Sequence, residues 1–260
     1  MNKYINPVNT RRISVNMEEL EMDQIQALCE IPAVHEQRTI SKLLSFICKP
    51  IDRPGAVADP RHWSVNERMH VVASYMSGTR DDGPNFPLHE KGDTRQTFYA
   101  DYILEQTDYV ADIPFQFGGE SLIFSPMLGY QAEAIETLID DGVYQATDYS
   151  WWCASMAACV RGVDDEPLVY IDDASYAAAL VERITPIRRM KDRKFCAFFD
   201  AYMDATMTAA HLMHVVTSQY GLVAAKVSET PGEEVPEVVT ARFPAHSCIS
   251  ERARQIMGFV

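Results

Sequence analysis

The residues best placed for chemistry are two carboxylates and two imidazoles late in the chain: Asp200, Asp204, His211 and His214. A helix turns about 100° per residue, so on one unbroken helix all four would project within a sector of roughly 80°. Carboxylate and imidazole on a common stripe can ligate a divalent metal. Ferritin-like bundles use a related Glu-x-x-His spacing but repeat it on a second helix, and this chain has no second copy. A polar stripe facing solvent or a neighbouring subunit explains the same four residues. No metal and no cofactor is therefore expected, and a metal-dependent enzyme built on the 200–214 helix stands as the alternative.

The remaining nucleophiles and ligands are less organised. Cys29, Cys48, Cys153, Cys159, Cys196 and Cys248 contain no Cys-x-x-Cys pair. Cys153 and Cys159 would lie about 120° apart on a helix, which suits an iron–sulfur cluster poorly, so buried free thiols are expected. Neither Gly-x-Ser-x-Gly nor Gly-x-x-x-x-Gly-Lys-Ser/Thr occurs, which removes the nucleophile elbow and the P-loop at motif level. Asp81-Asp82, Asp140-Asp141, Asp164-Asp165 and Asp172-Asp173 fall at turns or helix starts, where carboxylates cap backbone amides and oppose the helix dipole. No catalytic residue is assigned, and the chain is read as a non-enzyme.

Contact chemistry is better represented. Arg188, Arg189, Lys191, Arg193 and Lys194 form a basic cluster in a chain with 37 acidic and 23 basic residues and a net charge of −14. That balance argues against nonspecific nucleic-acid binding and against anionic membranes. No apolar run approaches the length of a bilayer span. The first seven residues lack the apolar core of a signal peptide, so a cytoplasmic site of synthesis and residence is expected. The basic cluster is either a solvated helix start or a docking patch for an acidic neighbour. Trp151 and Trp152 are adjacent, so on a helix one indole points away from the other and offers a contact.

These residues must be positioned by a mainly α body. Asn16 with Glu19, and Ser64 with Glu67, have capping-box spacing, and Trp63 is placed to act as a hydrophobic staple. Apolar periodicity predicts helices over about 17–31, 36–48, 65–77, 97–106, 130–139, 149–160, 173–184 and 191–218. A short helix is expected over 250–257. Pro186 and Gly221 are taken as stops for the last two long helices. Phe115, Phe117, Leu122 and Phe124 alternate with polar residues around Gly118-Gly119, which predicts a β-hairpin near 113–125 with a primed turn. Residues 11–15 and 222–227 have strand character. Arg80–Asp93 and Ser228–Pro236 read as polar contact loops. The expected fold is thus mainly α with a small β component (α+β). It forms one domain over 1–260, or alternatively a 1–50 helical pair packed on 62–260.

The order of several segments resembles tailed-bacteriophage proteins of the tail and baseplate, including baseplate-hub assembly proteins. These segments are Leu28-Cys29-Glu30-Ile31-Pro32, the helix over 38–47, Trp63-Ser64-Val65-Asn66-Glu67-Arg68, and Phe124-Ser125-Pro126-Met127-Leu128-Gly129 entering Ala132-Glu133-Ala134-Ile135-Glu136. The likeness covers about the first half of the chain and implies no catalytic residues. It implies a structural tail or baseplate component, or an assembly chaperone that leaves. Its partners would be other tail or baseplate proteins in a multi-subunit assembly, first in the host cytoplasm and then in the virion.

Overall fold

Local signals set where the helices begin, and long-range polar contacts complete what those signals leave undone. The computed structural model describes residues 5–80, 83, 87–88, 97–218, 221–228 and 237–258. Most of the expected 80–93 loop and residues 229–236 lie outside that set. The described residues form the α-helices α1 (Met22–Cys29), α2 (Glu36–Ile47), α3 (Val65–Thr79), α4 (Gly129–Asp140), α5 (Asp148–Cys159), α6 (Asp173–Arg188), α7 (Asp192–Thr208) and α8 (Glu251–Ile256). Helix makes up about 49% of the molecule and strand 18%, so the fold is α+β with helix dominant.

The strands are short and antiparallel. β1 (Val8–Asn9), β2 (Ser14–Met17) and β3 (Cys48–Pro50) form one sheet, which ties the N-terminal segment to the end of α2. β4 (Pro87–Leu88) pairs with β5 (Thr97–Phe98). β6 (Ile113–Phe117) and β7 (Glu120–Phe124) make the expected hairpin, extended by β8 (Val160–Gly162). Its turn residues Gly118 and Gly119 have φ of 58° and 84°, the left-handed pair that a type I′ turn requires. β9 (Val215–Ser218), β10 (Gly221–Ser228) and β11 (Glu237–Ala241) form a C-terminal sheet with β10 in the middle.

Ser64 caps α3 as its spacing predicts. Its hydroxyl accepts the Glu67 amide at 3.1 Å, and the Glu67 carboxylate accepts the Ser64 amide at 2.7 Å. Trp63 is not a staple, because the position it would pair with is Arg68. Its fully buried indole instead donates to Val57 O at 2.7 Å. Ten of the fifteen residues of α3 are buried, including Asn66, Glu67 and Arg68, so this helix has no solvated face of the usual kind. α4 is the other hub and touches α2, α3, α5 and α6. Leu28, Leu43, Leu44 and Ile47 from the N-terminal pair enter the same apolar cluster as Val72, Ile135, Met156 and Leu180.

Several sequence expectations are corrected. Asn16 is no cap: it lies in β2, where the buried Val15 and Met17 flank it, and α1 starts six residues later with the Gln24 side chain bonded back to the Glu21 amide. Residues 97–106 are not an α-helix. Tyr99–Tyr102 form a 3₁₀ turn, whose i, i+3 eclipse puts both tyrosines edge-on to Phe243 at 6.1 and 6.3 Å. α6 runs through Pro186 to Arg188, because a proline in the last turn forfeits a single backbone bond. The expected 191–218 helix stops at Thr208, and Val215-Val216-Thr217 pairs as a strand with β10.

Gly129 leaves the least room for a side chain of the described glycines. A Cβ there would overlap the Arg68 guanidinium, with the Cζ atom 2.8 Å away. Gly129→Ala should therefore destabilise the protein by about 3 kcal/mol, measured as a lowered midpoint in urea unfolding with unchanged m-value.

Candidate functional site

The early end of α7 separates the four candidate metal ligands. Asp200 and Asp204 face solvent from α7, whereas His211 is fully buried beyond it and His214 is half-buried. They share no stripe, and among the described residues no group of three or more His, Cys, Asp or Glu is arranged to hold a metal. The expected helix over 200–214 is corrected accordingly: α7 ends at Thr208.

His211 takes part in a different constellation. Its Nε2 lies 2.8 Å from Ser64 Oγ, and its Nδ1 lies 2.9 Å from Ala209 O. The carbonyl can only accept, so Nδ1 carries the proton and Nε2 accepts from the serine hydroxyl. Burial lowers the His211 pKa, and the nearby Arg12 charge acts the same way against the Ala209 bond. This is the hydrogen-bond order of a serine activated by a histidine base. Both side chains are closed off from solvent, however, and Ser64 Oγ already accepts the Glu67 amide. The pair clamps the start of α3 to the chain leaving α7. Sequence spacing held no signal for it, since its members are 147 residues apart.

The cysteines are all free. Burial pushes the thiols of Cys48 and Cys159 up to about 12, which keeps them protonated and unreactive. A carboxylate group surrounds a cavity of about 270 Å³ lined by Glu36, Glu136, Asp140, Trp151 and Arg242 among others. Each acid there has a protein partner. Glu136 accepts the Gln37 and Arg38 amides at 2.8 and 3.1 Å, Glu36 accepts the Ala245 amide at 2.8 Å, and Asp140 meets His35 at 2.6 Å. Glu136 thus caps α2 from α4.

The expected contact residues other than Trp151 reach the surface around α5, the end of α6 and α7. Trp151 is buried, while Trp152 is half-buried with its indole N–H donating to Thr217 O at 3.3 Å. The Trp152 ring lies 4.8 Å from Phe199, which stacks on Phe195 at 6.5 Å; Phe195 in turn lies 5.4 Å from Tyr149. The Arg188 guanidinium sits over Tyr144 and Tyr149 at 4.8 and 5.5 Å. Lys194 lies 5.8 Å over Phe117. α7 attaches through Phe198, Tyr202 and Ala205, so Phe195, Phe199 and Met203, four residues apart, remain half-exposed. Arg188, Arg189, Lys191, Arg193 and Lys194 are all exposed. None of the five forms an ion pair among the described residues. Sequence reasoning found the cations and Trp152 but missed Tyr144, Tyr149, Phe195 and Phe199, whose adjacency arises from the packing of α5, α6 and α7.

Comparison of the chain with models of known protein families, with curated proteins and with solved structures found no match.

Titration of Glu136 should be visible in stability. Burial, and then the charges of Asp140 and Glu36, raise its pKa from 4.5 to about 7 against the two amide bonds. A raised carboxyl pKa means that the folded state holds the proton more tightly. Its contribution is complete below pH 4.5 and is lost as pH rises through about 7, a loss of up to about 3 kcal/mol. Glu136→Gln should flatten the stability profile over that window, as measured by urea unfolding across pH.

Proposed function

We propose that this chain is a structural protein of a bacteriophage tail or baseplate, acting through protein–protein contacts in virion assembly. The observation that carries this reading is the half-exposed ladder Tyr144–Arg188–Tyr149–Phe195–Phe199–Trp152, with the exposed cations Arg189, Lys191, Arg193 and Lys194 close to Arg188 in sequence. Aromatic side chains and arginine are enriched at the centre of protein interfaces, where they supply large contact area. Unpaired cations on a protein of net charge −14 favour an acidic partner face and speed the encounter. The resemblance of the first half to tail and baseplate proteins supplies the setting. The partners are other tail or baseplate subunits in a multi-subunit assembly. The chain is made in the host cytoplasm and ends in the virion, and its work is geometric. No helix among the described residues is long and apolar enough to cross a membrane.

Mass spectrometry of purified particles should find the chain at fixed stoichiometry. Its presence in assembly intermediates alone would assign it to the departing chaperone instead. Charge reversal at Arg188, Lys191 and Arg193 together should weaken co-purification with the phage's own tail and baseplate subunits by about tenfold or more, equivalent to about 1.4 kcal/mol, with raised salt doing the same to the unmodified protein. Assembly unchanged by both salt and mutation would remove the proposal.

A further inference from the structure

A second cavity, along the 70–78 stretch of α3, has a different chemistry. It is an open cleft of about 440 Å³, lined by residues 6–10, by His70, Ser74, Ser77 and Gly78 of α3, by Tyr99, by Ile103, Leu104 and Thr107, and by Leu212. This volume lies within the range of small-ligand pockets, about 300–1,000 Å³. No lining residue is Asp, Glu, Lys or Arg, although such residues make up 23% of the chain. The one titratable base is uncharged at neutral pH, because burial lowers the His70 pKa to about 4. His70 Nδ1 is buried without a hydrogen-bond partner. Ser74 and Tyr99 hydroxyls lie 3.3 Å apart on one wall. Leu212 holds a left-handed backbone at φ 59° on another, a conformation that a bulky residue adopts only where its surroundings enforce it.

The lining selects among ligand classes. A charged ligand would find no counter-charge to offset its desolvation. A wholly apolar ligand would cover the polar side chains of Asn6, Ser77 and Thr107 and offer them no partners. A ring with apolar C–H faces and a rim of hydroxyls meets both kinds of wall, with Pro7, Val8, Ile103 and Leu212 against the faces. We infer that this cavity binds a neutral pyranose, free or at the end of a glycan. The inference is independent of the aromatic face on α7.

The test is a titration of the full chain with methyl α-D-glucopyranoside and methyl N-acetyl-β-D-glucosaminide, with D-glucuronate and D-glucosamine as charged counterparts. It is followed by methyl chemical shifts of Ile103, Leu104 and Leu212 and by imidazole shifts of His70. Saturable shifts at these residues with a neutral pyranoside, and binding of the charged sugars weaker by at least about tenfold, are expected. Ser77→Leu, which fills the cavity, should abolish the shifts. Thr107→Val lies at an exposed position, so it keeps the fold and removes one rim hydroxyl; it should weaken binding severalfold. No saturable response to either neutral pyranoside, equal binding of glucuronate, or a response unchanged in Thr107→Val would overturn the assignment.

Discussion

A guanidinium in the interior is the constraint around which the helices are arranged. Arg68 is 1% exposed, and a buried charge is costly unless it is both paired and hydrogen-bonded. Its Nη2 donates to Gln37 O and Ser41 Oγ at 2.7 Å each, and its Nη1 lies 3.6 Å from Glu133. Glu133 also accepts the Ser41 hydroxyl and meets Arg61 at 3.1 Å. Arg61 continues to Asp173 at 2.5 Å and to the Tyr170 hydroxyl at 2.8 Å. Charges of alternating sign therefore run from the first turn of α3, past α2 and α4, to the exposed start of α6. An apolar core of equal volume could be as stable. What the network adds is a fixed register, since a shift of α4 by one residue would leave Arg68 facing no carboxylate.

The same logic governs the other buried polar groups, which join segments far apart in the chain. Glu136 of α4 caps α2, Glu36 of α2 accepts the Ala245 amide, and Asn66 of α3 donates to Met213 O at 2.7 Å. His211 closes on Ser64, and the edge of Tyr109 lies 5.5 Å from the His211 ring beneath the Arg12 guanidinium. Buried polar atoms need partners. Here the partners come from the two ends of the chain, so the C-terminal sheet and the N-terminal strands are bound into the polar interior of α3 as well as into the apolar core.

This division explains what was legible in advance. The Gly118-Gly119 turn and the Ser64 capping box are local chemistry, complete within four residues, and both are found where their spacing puts them. Asn16 has capping spacing too, but the alternation of the buried Ile13, Val15 and Met17 wins, because a strand there can pair with β1 and β3. The end of α7 carries no Gly or Pro to mark it. Its only local sign is the β-branched run Val215-Val216-Thr217, and that acts through pairing with β10. Arg68 gave no signal at all, since its partners lie 27 to 65 residues away and a lone arginine in a helix is ordinarily solvated. The basic cluster was legible as charge, whereas the aromatic ladder exists only because α5, α6 and α7 pack together.

The early end of α7 also decides what kind of surface that ladder makes. Had the helix continued to Ser218, β9 would be missing from the flank of α5 and Trp152 would have no Thr217 carbonyl to hold it. With the break, the Trp152 indole is pinned on one edge by that hydrogen bond and on the other by Phe199, and Ser155 of the same helix reaches Thr217 Oγ1 at 3.3 Å. Tyr149 and Phe195 are held against each other, and Arg188 is laid across Tyr144 and Tyr149 in place of ranging through solvent. Side chains already ordered in the free protein lose little rotamer freedom when a partner arrives, and each such loss otherwise costs about 0.5–1.5 kcal/mol. The backbone break that separates Asp200 and Asp204 from His211 and His214 is thus the feature that holds the aromatic face in place.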